Sequence, residues 1–357
     1  MRFLMRRNYY QDIRLFRFRS TFFWYLALVL GLFLLPLVLG DYFLSQFTFI
    51  GIYSVATVGL MLLTGYTGQV SLGHAAFFAI GSYTSGIITT KGGPFLLALP
   101  TAGVLAALVG IVIGLPALRL TGLYLAIATM GFAFIVDEVL VRWESLTRGN
   151  MGMYLAPPSI GPLSFDSERS YYYLALIAAI LTILAAKNIL RSPTGRAMIA
   201  IRDSEVAAQT MGVSLAKYKT MAFAISAFFT GCAGSLYAHK ILFINPESFT
   251  ILLSIELLVM IIIGGLGSIH GAVFGTAFVI FLPQLIIVSK GYLPVFLRDQ
   301  TGLEAALYGL MIILFILFEP MGLYGRWLKL RFYFQMFPLY KSETFKKEKK
   351  YYKAERH

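Results

Sequence analysis

The chain repeats one pattern along its length: apolar runs of about twenty residues, broken by short polar or glycine-rich joins. The runs occupy roughly 22–40, 44–63, 71–90, 95–115, 120–141, 171–190, 218–239, 251–266, 271–289 and 303–319. A bilayer core takes about 20 mostly apolar residues per helix. Lipid offers no partner for unpaired backbone, so long apolar runs there are helices. The runs are continuous, whereas membrane β-barrel strands alternate polar and apolar residues. Of 357 residues, 58% are hydrophobic and 13% charged, and the mean hydropathy of +0.75 is far above that of a soluble domain. The expected fold is all-α: a polytopic transmembrane helical bundle of about ten spans, with glycine-rich segments that are broken or re-entrant.

The net charge of +13 sits mostly at the two ends. Arg2, Arg6, Arg7, Arg14, Arg17 and Arg19 precede the first run, and ten basic residues from Arg326 to Arg356 follow the last. Basic flanks beside spans mark the cytoplasmic side and fit contact with membrane lipid. No reading motif accompanies the charge, so nucleic acid is not an expected partner. With both termini cytoplasmic the span count is even. Loop 191–217, carrying Arg191, Arg196, Arg202 and Lys217, then falls inside and loop 142–170 outside. The chain divides into a basic N-terminal segment, 1–20, a transmembrane domain, 21–325, and a basic tail, 326–357. Residues 22–40 are too long for a signal peptide's apolar core and lack a small-x-small cleavage site, so the first span is retained. Trp24, Trp143 and Trp327 lie near run boundaries as interface anchors. Cys232 is the single cysteine and the four histidines are scattered, which leaves no metal-ligand spacing.

Three stretches carry more than hydropathy. Thr64-Gly65-Tyr66-Thr67-Gly68-Gln69-Val70-Ser71-Leu72-Gly73-His74-Ala75 joins two spans. Small and hydroxyl residues there either let helices pack closely or permit a helix break that faces a substrate. A half-helix N-terminus of that kind suits a carboxylate. The second stretch runs from Ser254 through Glu256 to Gly264-Gly265-Leu266-Gly267-Ser268-Ile269-His270-Gly271. A carboxylate inside an apolar span costs several kcal/mol unless paired or solvated, so Glu256 faces either a hydrated path or a partner group. Gly267–Phe274 also echoes Gly68–Phe77, as an internal duplication or by chance. Asp137 and Glu138 are expected among headgroups, and His239 and Lys240 are expected to snorkel from a span end.

The third stretch is loop 191–217. Ser192 and Pro193 start a helix, Gly212 stops it, and Ala197, Ala200, Ile201, Ser204, Ala208 and Met211 recur at helical spacing. One amphipathic helix over 193–212 is predicted, its apolar face covered by the membrane surface or by a cytosolic partner.

Taken together, T-G-Y-T-G-Q-V-S-L-G-H-A, L-R-L-T-G-L-Y-L-A-I-A-T, S-P-T-G-R-A, A-I-R-D-S-E-V-A-A-Q-T-M-G-V and S-I-E-L-L-V-M-I-I-I-G-G-L-G-S-I-H-G-A resemble the LivM-type permeases of branched-chain amino acid ABC importers, over about residues 50–323. The resemblance implies a second permease subunit, two cytosolic ATPase subunits that bind ATP and Mg, and an extracytoplasmic binding protein that delivers leucine, isoleucine or valine. It implies a prokaryotic inner-membrane location and no cofactor or metal in this chain. The first two stretches offer a candidate translocation pathway at Gly65, Tyr66, Gly68, Gln69, Ser71, Gly73, His74, Glu256, Gly264 and Gly265. ATPase coupling falls to Gly195, Arg196, Arg202, Asp203, Glu205, Ala207, Ala208 and Gly212. Glu205, Ala207, Ala208 and Gly212 match the E-A-A…G loop of importers loosely: Val206 intrudes and the downstream Pro is absent.

The chain contains no Gly-Lys dipeptide, hence no G-x-x-x-x-G-K-[ST] phosphate loop, and no HExxH run or nucleophile set. It is expected to be a transport subunit and not an enzyme. The alternatives are a urea or short-chain amide ABC permease, an ATPase-independent secondary transporter or channel, and a non-transporting scaffold. Glu256 alone is little for ion coupling, and a scaffold leaves the glycine-broken spans without a purpose.

Overall fold

The computed structural model describes residues 19–161, 163–290, 303–319 and 321–336. Most of the basic N-terminal segment and the tail beyond 336 lie outside the described residues. Helices α1 (Arg19–Val38), α2 (Asp41–Leu60), α3 (His74–Thr90), α4 (Phe95–Gly114) and α5 (Leu123–Arg142) come first. A π-helical turn, Met61–Gly65, extends α2. The short α6 (Glu144–Thr147) opens a loop holding β1 (Met153–Tyr154), β2 (Ser159–Ile160) and β3 (Leu163–Ser164). Then follow α7 (Glu168–Arg191), α8 (Pro193–Asp203), α9 (Glu205–Thr210) and α10 (Leu215–Ile241). Strand β4 (Phe243–Ile244) and a 3-10 turn, Pro246–Phe249, lead into α11 (Ile251–Gly264), α12 (Ile269–Lys290), α13 (Leu303–Phe318) and α14 (Gly322–Met336).

Every apolar run read from the sequence coincides with a helix. Among the described residues, seven helices are long and apolar enough to cross a membrane. An eighth crossing appears if the pair Ala306–Phe318 and Gly322–Tyr333, bent by 47°, is one span. The apolar part of α1, Phe22–Val38, and the 17-residue α3 are shorter. The protein is thus a multi-pass helical membrane bundle. Helix α14 runs unbroken through 325–326, so the tail boundary read from charge falls inside a helix.

Two helices form the centre. Their apolar windows are 78% buried for Asp41–Gly65 and 67% for Leu215–Ile241, against 22% for α5 and 28% for α4 and α7. The outer helices keep their apolar residues for lipid; Trp24, Trp143 and Trp327 are likewise exposed, as interface anchors would be.

Glycine sets the contacts of α10. A Cβ on Gly81 would lie 2.1 Å from the Gly231 carbonyl oxygen, and one on Gly234 would lie 2.0 Å from that of Phe78. With no hydrophobic force between helices in lipid, such backbone approach carries the packing. The Ser82 hydroxyl adds a 2.8 Å bond to the Gly234 carbonyl. Gly234→Ala must therefore push α3 and α10 apart, at a cost of about 3 kcal/mol. Denaturant titration of the purified protein would show it; unchanged stability would mean that these helices are not locked. On the same helix, the Cys232 thiol points at the Leu99 carbonyl, 3.8 Å away, and a Cβ on Gly103 would meet its sulfur at 2.6 Å.

The end of the bundle bearing β1–β4 is closed by an antiparallel pairing of Met153 with Ile244 and Tyr154 with Phe243. This cover corrects the snorkelling expectation. His239 is 1% exposed, with Nδ1 at 3.0 Å from the Ser235 carbonyl and Nε2 at 3.2 Å from the Thr89 hydroxyl. The Lys240 ammonium is paired with Glu168. Glu138 is exposed and paired with Arg142.

Candidate functional site

The stretch 66–73 is not a simple turn between spans. Tyr66 and Thr67 are still helical, and from Gly68 the chain climbs without regular structure back into the bundle, where α3 begins. Its lower part is fixed by local bonds: Gln69 N–H to the Leu63 carbonyl at 3.2 Å, Thr64 hydroxyl to the Gln69 carbonyl at 3.1 Å, and Thr67 hydroxyl to the Leu62 carbonyl at 3.0 Å. Its upper part rests on other helices. Leu72 N–H donates to the Thr129 hydroxyl of α5 at 2.9 Å, and Gly73 lies where a Cβ would meet the Thr129 carbonyl oxygen at 2.6 Å. Irregular backbone at membrane depth persists only where protein buries it and satisfies it, and these bonds do so.

Helix α3 starts beside Ser226, about 16 Å along α10 from Leu215. There His74, fully buried, lies 3.0 Å from the Ser71 hydroxyl through Nδ1 and 2.7 Å from the Ser226 hydroxyl through Nε2. Ala75 N–H donates to the Ser254 hydroxyl of α11 at 2.8 Å. The first turns of α3 and α11 therefore meet deep in the bundle. The sequence leaves close helix packing or an N-terminus open to a carboxylate; here a serine from α11 lies at that N-terminus, and the histidine is committed to two hydroxyls.

Glu256 lies two residues beyond Ser254, half-buried, with no hydrogen bond or ion pair to another described residue. Its charge reaches the phenols of Tyr53, Tyr237 and Tyr308. Tyr53 and Tyr237 belong to an aromatic cluster with Phe78 and Phe249, their own rings 6.1 Å apart. Gln69 is the other polar group of note: it is 4% exposed, and neither amide atom has a partner.

Gly264 and Gly265 close the turn from α11 to α12. A Cβ on Gly264 would come within 1.9 Å of the Gly271 carbonyl oxygen, and Gly265 adopts φ +108 against Met321. Both backbones lie in close contact with neighbouring elements. Gly65 likewise faces Gly267, whose nitrogen would be 2.8 Å from an added Cβ. The glycine that ends the π-helical turn thus touches the second of the two echoed stretches.

The loop helices lie there too. Arg202 of α8 donates from Nη1 to the Gly65 carbonyl at 3.1 Å, and its side chain covers Gly68. Asp203 orients the guanidinium from the next position, accepting Nε at 3.1 Å and Nη2 at 2.9 Å. In α9, the Glu205 carboxylate holds the ammonium of Lys219, which is 2% exposed at its side chain in α10, at 2.7 Å.

Residues 42–316 match the family described as the permease component of branched-chain amino acid transport systems. The chain belongs to this family. It is 33% identical over 297 residues to the high-affinity branched-chain amino acid transport system permease protein LivM of Escherichia coli K12, covering 76% of this chain and 67% of that one. The probable LivM of Methanocaldococcus jannaschii is 22% identical over 313 residues, with 76% and 90% covered. The autoinducer 2 import system permease protein LsrC of Escherichia coli O157:H7 is 26% identical over 280 residues, with 74% and 79% covered. No solved structure matches. Family membership makes the chain a transport permease component, part of a transporter that has other subunits.

In this permease the expected single helix over 193–212 is two. Ser204 leaves helical geometry at φ −164 and caps α9 by accepting the Ala207 N–H at 3.2 Å. A serine that serves one helix as its N-cap ends the helix before it. Gly195 packs onto the end of α7, where a Cβ would lie 2.3 Å from the Leu190 Cα, and Ala208 is buried. Arg196 donates to the Arg191 carbonyl at 3.2 Å, Ala207 is exposed, and Gly212 turns the chain at φ +82. Sequence reasoning missed Val206 and Lys219 here, and it placed Met211 on one apolar face with the now buried Ala208. Val206 and Met211 are 75% and 84% exposed, two large apolar side chains presented outward by a short helix. Lys219 was missed because one lysine near a span end reads as a flank.

Proposed function

We propose that this permease forms one half of the translocation channel of an ATP-driven importer for leucine, isoleucine and valine. The observation that carries the reading is Arg202. It bonds to Gly65 and covers Gly68, so a push on the loop is delivered to the irregular backbone that joins α2 to α3. Substrate class rests on relatedness: identity is 33% to a branched-chain amino acid permease and 26% to an autoinducer 2 permease.

The working assembly pairs this chain with a second permease. Two cytosolic ATPases supply ATP and Mg binding, and an extracytoplasmic protein delivers substrate. The chain itself carries no cofactor. Both termini and α8–α9 lie in the cytoplasm, β1–β4 lie outside, and the membrane is the inner cell membrane of a prokaryote. This orientation takes α1, α3 and α13 as crossings beside the seven long helices, ten in all. Residues 21–325 form the permease domain, flanked by basic segments that meet lipid.

Within the pathway, Glu256 meets the substrate's ammonium, since an unpartnered carboxylate among phenols in a low-dielectric setting favours a cation. Glu256→Gln keeps the shape and removes the charge. Uptake should fall about tenfold or more, the weight of one charged hydrogen bond. The test is leucine uptake into proteoliposomes holding all subunits, with ATP on the ATPase side. Uptake that requires ATP and binding protein, and that isoleucine and valine suppress, supports the reading. Uptake driven by an ion gradient through this chain alone would refute it.

A further inference from the structure

Four helices bring a second group of polar side chains together at the end of the bundle that bears α8 and α9. The Tyr25 hydroxyl of α1 is hydrogen-bonded to Nε2 of His270 at the start of α12. The His270 ring stacks on Tyr324 of α14, with centroids 6.1 Å apart and planes 9° from parallel. Lys187 of α7 places its ammonium 4.6 Å from the centre of the Tyr25 ring. The charge of Arg331, on α14, reaches both Tyr25 and His270, and that of Arg191 reaches Lys187.

This group is unbalanced. Among the described residues, no carboxylate pairs with Lys187, Arg191 or Arg331, and the nearby Glu319 is taken by Arg326. Nε and Nη1 of Arg191 are buried with no acceptor. The Lys187 ammonium held over Tyr25 and the buried, acceptor-free Arg191 guanidinium one turn along α7 repel one another, so the cluster calls for an anion with several oxygens. Its surroundings say which kind. Leu26 and Leu30 on α1 are 42% and 54% exposed, and Trp327 and Leu330 on α14 are each 53% exposed. An anion that brings its own apolar chains satisfies both features at once; a soluble phosphate satisfies only the first.

We infer that Lys187, Arg331 and the Tyr25–His270–Tyr324 platform form a binding site for the phosphate of an anionic phospholipid, with Arg191 supplying the inner charge. The acyl chains run along α1 and α14. Basic pockets between spans on the cytoplasmic side are where such headgroups bind. The inference concerns lipid and does not depend on which substrate the permease carries.

The experiment is native mass spectrometry of the purified full chain titrated with phosphatidylglycerol. Lys187→Met and Arg331→Gln should each weaken retention about fivefold, and the pair about 25-fold. Lys329→Gln, an exposed lysine on α14 outside the cluster, should change it less than twofold. Equal losses at Lys329 and Arg331 would mean diffuse attraction to charge and would overturn the site. So would equal retention of phosphatidylcholine, or displacement of the lipid by inorganic phosphate at a matching concentration. If the variants do not fold, a photoreactive phosphatidylglycerol on the wild-type chain decides. Crosslinks to peptides holding Tyr25 or Tyr324 support the site, and crosslinks confined elsewhere refute it.

Discussion

Aspartate at both Val206 and Met211 will abolish ATP-driven uptake while the chain still folds and inserts. The two side chains touch little of their own protein, at 75% and 84% exposure, so their loss costs the fold almost nothing. Helix α9 is held from its other face by buried Ala208 and by the Glu205–Lys219 pair, neither of which changes. Burying a valine and a methionine in a partner's groove is worth about 1.5–3 kcal/mol each. Replacing them with charges removes that gain and adds a desolvation penalty, so ATPase binding should weaken at least about 100-fold. Co-purification of the ATPases with the tagged permease measures it. Normal co-purification and uptake would place the coupling contact elsewhere.

The two halves of the Glu205–Lys219 pair will not be equal in mutation. Lys219 is 2% exposed at its side chain and Glu205 is 38% exposed. Glu205→Ala strands an ammonium in the bundle, and removing one partner of such a pair costs about 3 kcal/mol. Lys219→Met leaves an apolar chain of similar length in an apolar place, and the freed carboxylate can turn to water; its cost should be about 1 kcal/mol. The double variant should recover most of the loss seen with Glu205→Ala. Denaturation of the three purified variants gives the order. A larger loss for Lys219→Met than for Glu205→Ala would mean that the lysine serves a second group.

Hydropathy located the helices because lipid tolerates little else, and every apolar run fell on one. The breaks were harder to read. The Thr64–Ala75 stretch announces an irregularity through its glycines and hydroxyls, but whether it turns at the surface or climbs into the bundle depends on acceptors far away in sequence, Thr129, Ser226 and Ser254. The same distance hides the fate of His74 and of the α3 N-terminus. Composition treated the loop 193–212 as one amphipathic helix because its apolar spacing runs through Ser204; the capping role of that serine is a local choice that periodicity does not weigh. Gly264 and Gly265 read as pathway positions from sequence, and only the structure shows their backbones packed against Gly271 and Met321. Arg191 and Arg331 read as ordinary flanking charge, and Lys187 went unremarked within an apolar run, because nothing in their spacing shows that Tyr25 and His270 stand near them.

The placement of Cys232 has a practical consequence. Its sulfur points into the contact between α10 and α4, at the Leu99 carbonyl and against Gly103. The chain has no other thiol. A cysteine substituted at Met211 would thus react with maleimide dyes far faster than the native one, which need not be removed. A fluorophore attached there would sit on the proposed ATPase contact and would brighten or quench as nucleotide cycles, turning the silence of one buried sulfur into an optical record of coupling.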